Sequence, residues 1–423
     1  MRAPWAAGRV LTPSEFESYC EHAMRGHRQR GIRLEDYQEV LLDFPLLMTP
    51  GEWPRLARLT EKLAAEVLSA ERELLSRREL YPLLGLKSKI EKILQSCEPD
   101  RRPEAVPRVM RFDFLYTTEG WLFSETNPDV AGGYFEAYKL TEAMAAYYPG
   151  FLPPPNPAAA HAEAIRRTIG KDALVAFVCP FSWHYYAHQA KLVMKELEMR
   201  GVRGIITTPG SLKWESGFAR VLRSPLTDKP SLVVRQLLAE GLLKLCRHSQ
   251  LAPWFCGART PVSNPCYSIL TESKRFPCVL KELDAPLPTY RRHSPESRSP
   301  TEVSTAFENQ WVFKPAFGAQ GRRIAIAGVT PKSAFKAVAN KARRHPIKWV
   351  AQRRFQSVPV PTERGPGHVC LGIYTVDGVA AGLYARIKGK PLIDQFAISI
   401  PVLIPEGDLV TARKAEVRGH VNR

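Results

Sequence analysis

Between positions 56 and 74 the chain repeats apolar side chains every three or four residues: Leu56, Leu59, Leu63, Val67, Ala70 and Leu74. That spacing places them on one face of an α-helix, and core packing is the expected role of the stripe. Thr12-Pro13-Ser14-Glu15 and Thr49-Pro50-Gly51-Glu52 both have the T-x-x-E form of a capping box. Residues 1–105 therefore read as a helical N-terminal region.

The pattern then changes. Segments 109–115 and 121–123 read as two strands joined by the turn Thr117-Thr118-Glu119-Gly120. A helix over about 134–148 follows, and 149–157 is a proline-rich connector. These make a unit of 106–160. In 161–262, short apolar runs at 174–179, 204–208 and 232–235 flank a helical segment at 187–199. Strands separated by helices imply a small parallel sheet. Residues 263–405 form a strand-rich unit, with strands at 311–315, 322–327, 349–352, 370–376, 382–387 and 396–404. Thr330-Pro331 opens a helix there that Pro346 ends. The polar tail, 406–423, is expected to be loosely ordered.

Composition narrows the classes. Of 423 residues, 44% are hydrophobic and 24% charged, which excludes general disorder, and 36 prolines point to long loops. Lys and Arg number 60 against 42 Asp and Glu, so the net charge of +18 favours an anionic partner: nucleic acid, an anionic membrane or a phosphorylated small molecule. Residues 1–10 lack the apolar core of a signal peptide, and the uncharged stretch near 180 contains Pro180, His184 and His188, so no membrane span is expected. Eight cysteines form no CxxC and ten histidines no HExxH, the pattern of reduced thiols in a cytoplasmic protein without structural zinc.

Two constellations carry chemistry. In Arg111-Phe112-Asp113 and Glu125-Thr126-Asn127, residues two apart share a strand face, so a hairpin would put all four polar side chains together. Two carboxylates and an amide oxygen suit Mg²⁺, which bridges nucleotide phosphates, and an adjacent Arg can stabilise a transferring phosphoryl group. A surface salt-bridge ladder has the same pattern. Further on, Lys314 leaves a strand ahead of Gly318 and Gly321, where backbone N–H groups can approach phosphates. The lysine precedes the glycines, so this is not a Walker A loop. From 309 to 362 there are eleven Lys/Arg and no Asp or Glu.

In combination these motifs resemble the glutathionylspermidine synthase family of circularly permuted ATP-grasp ligases, over about residues 106–404. Arg111-x-Asp113 with Glu125 and Asn127 resembles its Mg-binding hairpin, and Ser273-Lys274 its first nucleotide lysine. Lys314-Pro315-Ala316-Phe317-Gly318 resembles the second lysine and phosphate loop. Trp349-Val350-Ala351-Gln352 is similar to the strand entering the adenine hinge, and Gly382-Leu383-Tyr384-Ala385-Arg386 to the strand bearing a transition-state arginine.

The resemblance implies an α/β (α+β) ATP-grasp fold with a helical N-terminal region and a small parallel-sheet domain before the ATP-grasp. It implies ATP-dependent joining of a small-molecule carboxylate to an amine through an acyl phosphate. Asp113, Glu125 and Asn127 would hold Mg²⁺. Lys274, Lys314, Gly318, Gln320, Gly321 and Gln352 would bind ATP, and Arg111 and Arg386 would act in catalysis. Ala319-Gln320 departs from the family's Arg-Glu between the loop glycines, Ile387 from its Glu after the late arginine, and no amidase domain has a counterpart in 1–105. Within 161–262, Trp183, His184 and Arg235 are candidates for shaping a substrate pocket, with ordinary packing as their other reading. A non-ligating nucleotide-binding scaffold is one alternative. A basic nucleic-acid-binding protein is another, disfavoured because no RNA- or DNA-binding module is recognisable.

Overall fold

The computed structural model describes residues 3–25, 41–98, 106–180, 184–222, 227–246, 250–318 and 321–409. Trp183, Gln320 and most of the polar tail lie outside the described residues, as does the His184 side chain.

Strand β1 (Trp5–Ala7) precedes helix α1 (Pro13–Met24), whose capping box closes as predicted. The Glu15 amide donates to Thr12 Oγ1 at 3.4 Å, and the Thr12 amide to the Glu15 carboxylate at 2.8 Å. The second box does not form. After β2 (Leu46–Met48), helix α2 (Glu52–Ser76) begins at Glu52 itself, which puts that carboxylate at N1 instead of N3. Thr49 instead donates its hydroxyl to the Ala3 carbonyl at 2.8 Å, and Glu52 accepts from the Trp121 indole at 3.0 Å. Asp408, distant in sequence, receives the Gly51 amide at 2.9 and 3.0 Å. Along α2, Leu56, Leu63, Val67, Ala70 and Leu74 are buried and Leu59 is half-buried. Helix α3 (Ser88–Ser96) follows.

The predicted hairpin is present as β3 (Val109–Thr117) and β4 (Gly120–Asn127), pairing Arg111 with Asn127 and Asp113 with Glu125. The next helix contains a π-turn (Glu136–Leu140) ahead of α4 (Thr141–Ala145), and the connector carries β5 (Phe151–Leu152). Then come α5 (Pro157–Ile169), β6 (Leu174–Val178), α6 (His184–Glu198), β7 (Arg203–Thr207), β11 (Leu232–Arg235) and β12 (Val262–Ser263). These four strands form a parallel sheet in the order β12-β11-β6-β7, as the alternation predicted. A small antiparallel sheet that sequence did not suggest lies between: β8 (Leu212–Glu215), β9 (Phe218–Leu222) and β10 (Thr227–Asp228).

Two antiparallel sheets complete the architecture. The first has the order β13-β16-β14-β15 and uses Ser297–Arg298, Trp349–Arg353, Trp311–Pro315 and Ala325–Ile326 respectively. The helix Lys332–Arg344 packs on it through Phe335, Ala339 and Ala342. The second has the order β19-β18-β17-β3-β4 and adds β17 (His368–Val376), β18 (Val379–Lys388) and β19 (Ile398–Ile400) to the hairpin. The strand predicted over 396–404 is broken at Pro401, which has no N–H to donate. Its second half, β20 (Val402–Pro405), pairs with β2 and β5 in a separate sheet. The result is a mixed α+β architecture. No helix among the described residues is long and apolar enough to cross a membrane.

The expectation of eight reduced thiols is corrected by a disulfide between Cys97, after α3, and Cys256, which ends the helix Ala252–Cys256. The two are 159 residues apart, a spacing that carries no signal, and only packing of the two helices brings their Cα atoms to 5.0 Å. Such cross-links typically contribute about 2–4 kcal/mol by restricting the unfolded chain. Calorimetry with and without dithiothreitol should therefore give a lower melting midpoint for the reduced protein and for Cys256→Ala. An unchanged midpoint would remove the bond from the account of stability.

Candidate active site

The sheet β19-β18-β17-β3-β4 has one dry face and one polar face. Phe112, Phe114, Leu371, Ile373, Leu383 and Ala385 are buried in the same core as the α2 stripe. The alternate residues point the other way: Arg111 and Asp113 from β3, Glu125 and Asn127 from β4, Tyr384 and Arg386 from β18. Opposite them stands the sheet carrying Val312, Lys314 and Gln352. A cavity of about 1900 Å³ lies between.

The structure brings nearly all the sequence-predicted residues to this one space. Arg111, Asp113, Glu125, Asn127, Lys314, Gly318, Gly321, Gln352 and Arg386 line it. Lys274 reaches its edge: its ammonium lies 3.0 Å from Glu125 Oε2 and donates to the Gly318 carbonyl at 2.8 Å. Its own backbone amide is held by the Ala316 carbonyl at 2.9 Å, so one lysine ties the hairpin to the glycine loop. Gln320 cannot be placed, for it lies outside the described residues.

Arg111 grips Asp113 with two hydrogen bonds of 2.6 and 2.9 Å, donates to the Gly132 carbonyl at 2.9 Å, and lies 5.1 Å over the Tyr384 ring. Gly372 permits that stack. It stands between the two on β17, and a Cβ there would sit 2.4 Å from Tyr384 and 2.8 Å from Arg111 Cδ. Burial raises the Asp113 carboxyl, against the pull of Arg111. Glu125 is half-buried, and Lys274 and Lys314 outweigh the desolvation and hold its carboxyl below the ordinary value. Burial pulls the Lys314 ammonium down to about 8, opposed by Glu125 and assisted by Lys274. Lys314 donates to the Ser124 carbonyl at 3.3 Å.

Gln352 is 5% exposed, and its Oε1 finds no hydrogen-bond partner among the described residues. Gly321 holds φ at +66°, and a Cβ on it would meet the Ile393 carbonyl at 2.7 Å. The glycine loop thus presses on segment 393–397, whose Asp394 and Ala397 carbonyls accept from Arg386.

The donor set suits a metal shared with a ligand. Among the described residues no group of three or more His, Cys, Asp or Glu forms a protein cage. Two cross-strand carboxylates with a neighbouring amide fit the habit of Mg²⁺, which binds one or two carboxylates and fills its shell with water and phosphate oxygens.

Arg235 is not in the cavity lining. It is buried at the end of β11, ion-paired with Asp129, and takes the packing reading. Sequence reasoning missed Glu136, Tyr185, Tyr186 and Glu272, which line the cavity, the last with its carboxyl pushed up by burial to about 8. They arrive from three separate segments without local spacing. Tyr384 was within reach, because it stands two residues before Arg386 on the same strand face. The basic run 309–362 divides: Lys314, Arg322, Arg323, Arg353 and Arg354 line the cavity, Lys332, Lys336, Lys341 and Arg344 are exposed on their helix, and Arg343 and Lys348 donate to Glu308 and to the Leu86 carbonyl.

No family model matches the chain, and no curated protein does. Among solved structures, a glutathione synthetase-like effector from Globodera pallida in its apo form superposes with a TM-score of 0.61 at 12% identity, covering 85% of this chain and 88% of that one. The two share a fold. A putative gamma-glutamylcysteine synthetase from Methylobacillus flagellatus is also similar, with a TM-score of 0.43 at 10% identity over 80% of this chain and 88% of that one. The shared fold extends over most of both chains in the first comparison, at an identity too low to carry substrates across.

Proposed function

We propose that the protein is an ATP-dependent ligase of the permuted ATP-grasp type, joining a small-molecule carboxylate to an amine through an acyl phosphate and releasing ADP and phosphate. The observation that carries this reading is convergence: the residues singled out on four separated stretches of chain line one cavity between two antiparallel sheets. The fold shared with a glutathione synthetase-like protein supports it.

The chemical task is to bring a carboxylate to an anionic phosphate, against like-charge repulsion. Lys274 and Lys314 would meet the phosphates, and the free Gln352 acceptor suits an N–H donor such as the adenine amine. Arg111 is already oriented by Asp113 and Tyr384, so it can stabilise developing negative charge without reorganising. Asp113, Glu125 and Asn127 would hold Mg²⁺, which supplies neutralisation of phosphate oxygens. Closure of the two sheets over the bound intermediate would exclude water and so protect an acyl phosphate from hydrolysis.

The test is an ADP-release screen. Acids would be glutamate, gamma-glutamylcysteine and glutathione, each paired with glycine, propylamine, propane-1,3-diamine or hydroxylamine, and products would be read by mass. A condensed product that needs ATP is expected. ATP binding with no acid-dependent ADP release would favour the second reading, a nucleotide-binding scaffold, to which Ala319-Gln320 in place of Arg-Glu lends support.

A further inference from the structure

A ligase of this kind has a second proton problem. Its acceptor amine arrives as an ammonium, whose nitrogen lone pair is engaged, and something must take the proton before the nitrogen can attack. Asp113 and Glu125 are paired with Arg111 and Lys274 and are given to Mg²⁺ in that reading, so neither carboxylate of the hairpin serves as the base.

Glu136 is differently placed. It begins the π-turn, three residues after Gly133, and lines the same cavity. Gly133 holds φ at +103°, and a Cβ there would lie 2.4 Å from the Tyr374 hydroxyl. The segment leading into the turn therefore packs hard against β17, the turn itself lies on β18, and its first carboxylate is delivered beside Arg111 and Arg386. Turns of this type insert an extra residue and re-aim side chains, and they are frequent at functional sites. Glu136 Oε2 is buried and has no hydrogen-bond partner among the described residues. Arg111 and Arg386 face it from the sheet, and Tyr185 and Tyr374 from α6 and β17. Burial raises its carboxyl, opposed by the two arginines, which makes it a better proton acceptor than a solvated glutamate.

We propose that Glu136 is the general base that takes the proton of the acceptor ammonium, a role that rests on the ligase reading above. The carboxylate accepts one proton from R–NH₃⁺. The freed nitrogen lone pair forms the C–N bond at the acyl carbon while the C–O bond to phosphate breaks. The second amine proton leaves with the phosphate, and Glu136 returns its proton to solvent.

Hydroxylamine separates this role from others, because it is uncharged at neutral pH and needs no base. The parent and Glu136→Gln would be compared with the screened acid that gives most hydroxamate and the screened amine that gives most amide. At neutral pH the variant should lose amide synthesis about 100-fold, the scale of a general base, while hydroxamate formation stays within about twofold. The amide rate of the variant should climb with pH as free amine accumulates, and Glu136→Asp should recover part of it. An equal loss of both products would assign Glu136 a structural role and overturn the proposal, as would no loss of either. A parent that makes neither product overturns the ligase reading itself, which is a distinct result.

Discussion

Lys314→Ala should lower ATP turnover by about 10²–10³-fold while leaving the melting midpoint close to the parent's. The loss is large because this ammonium sits between two sheets, where a fixed charge is worth far more than in water. The midpoint is spared because the hydrogen bond that Lys314 makes is one to the Ser124 carbonyl, and removing a buried charge relieves its own desolvation. The pH dependence follows from the sign of the shift. Burial lowers the ammonium to about 8, so its charge is present below that value and lost above it. The ratio of parent to variant kcat/KM for ATP, which reports the free enzyme, should shrink as pH rises through about 8. Asp113→Ala should show a loss of similar size, since it removes a proposed Mg²⁺ ligand and releases Arg111. Near-parental turnover in both variants would sink the assignment of the cavity to ATP.

Asp129→Ala should be the most damaging substitution for stability, at about 3–5 kcal/mol in urea denaturation. The Asp129 carboxylate is 2% exposed and its partner Arg235 is fully buried. Its second oxygen accepts the Ala239 amide at 2.8 Å, at the start of the helix Ala239–Leu245. Arg235 also donates to the Leu237 carbonyl at 2.7 Å and to the Asn264 carbonyl at 3.0 Å. Removing Asp129 leaves that guanidinium buried with carbonyl dipoles alone. Changing Asp129 to Asn together with Arg235 to Met should cost less than Asp129→Ala alone, because no unpaired charge stays inside. A double variant at least as unstable as the single one would refute this account.

What could be read from sequence followed the range of the forces involved. Alternation along β3 and β4 is local, so sequence alone puts Arg111, Asp113, Glu125 and Asn127 on one face, and the strand register agrees. The α2 stripe was legible for the same reason. The pairing of Lys274 with Glu125 and the disulfide depend on distant segments meeting, which no spacing encodes. Strands β1, β2 and β20 are too short to display alternation, and their pairing carries a break at Pro401. The second capping box failed because the helix started at Glu52. Glu136 was hidden by its π-turn, which breaks the 3.6-residue period on which helix reading rests.

The order of strands in the polar-faced sheet also bears on how the chain reaches its native state. Val109–Thr117 and Gly120–Asn127 are sequence neighbours and can zip together early, but the other edge of Val109–Thr117 is filled by His368–Val376. Until that distant segment arrives, Arg111 and Asp113 stand on an unprotected strand edge, with a long loop still to be closed. Chains dominated by such non-local pairing fold in milliseconds to seconds, and their open edges invite association with other chains. During synthesis on a ribosome the hairpin and the parallel sheet can form well before the cavity exists. Yields on refolding should therefore fall steeply with protein concentration.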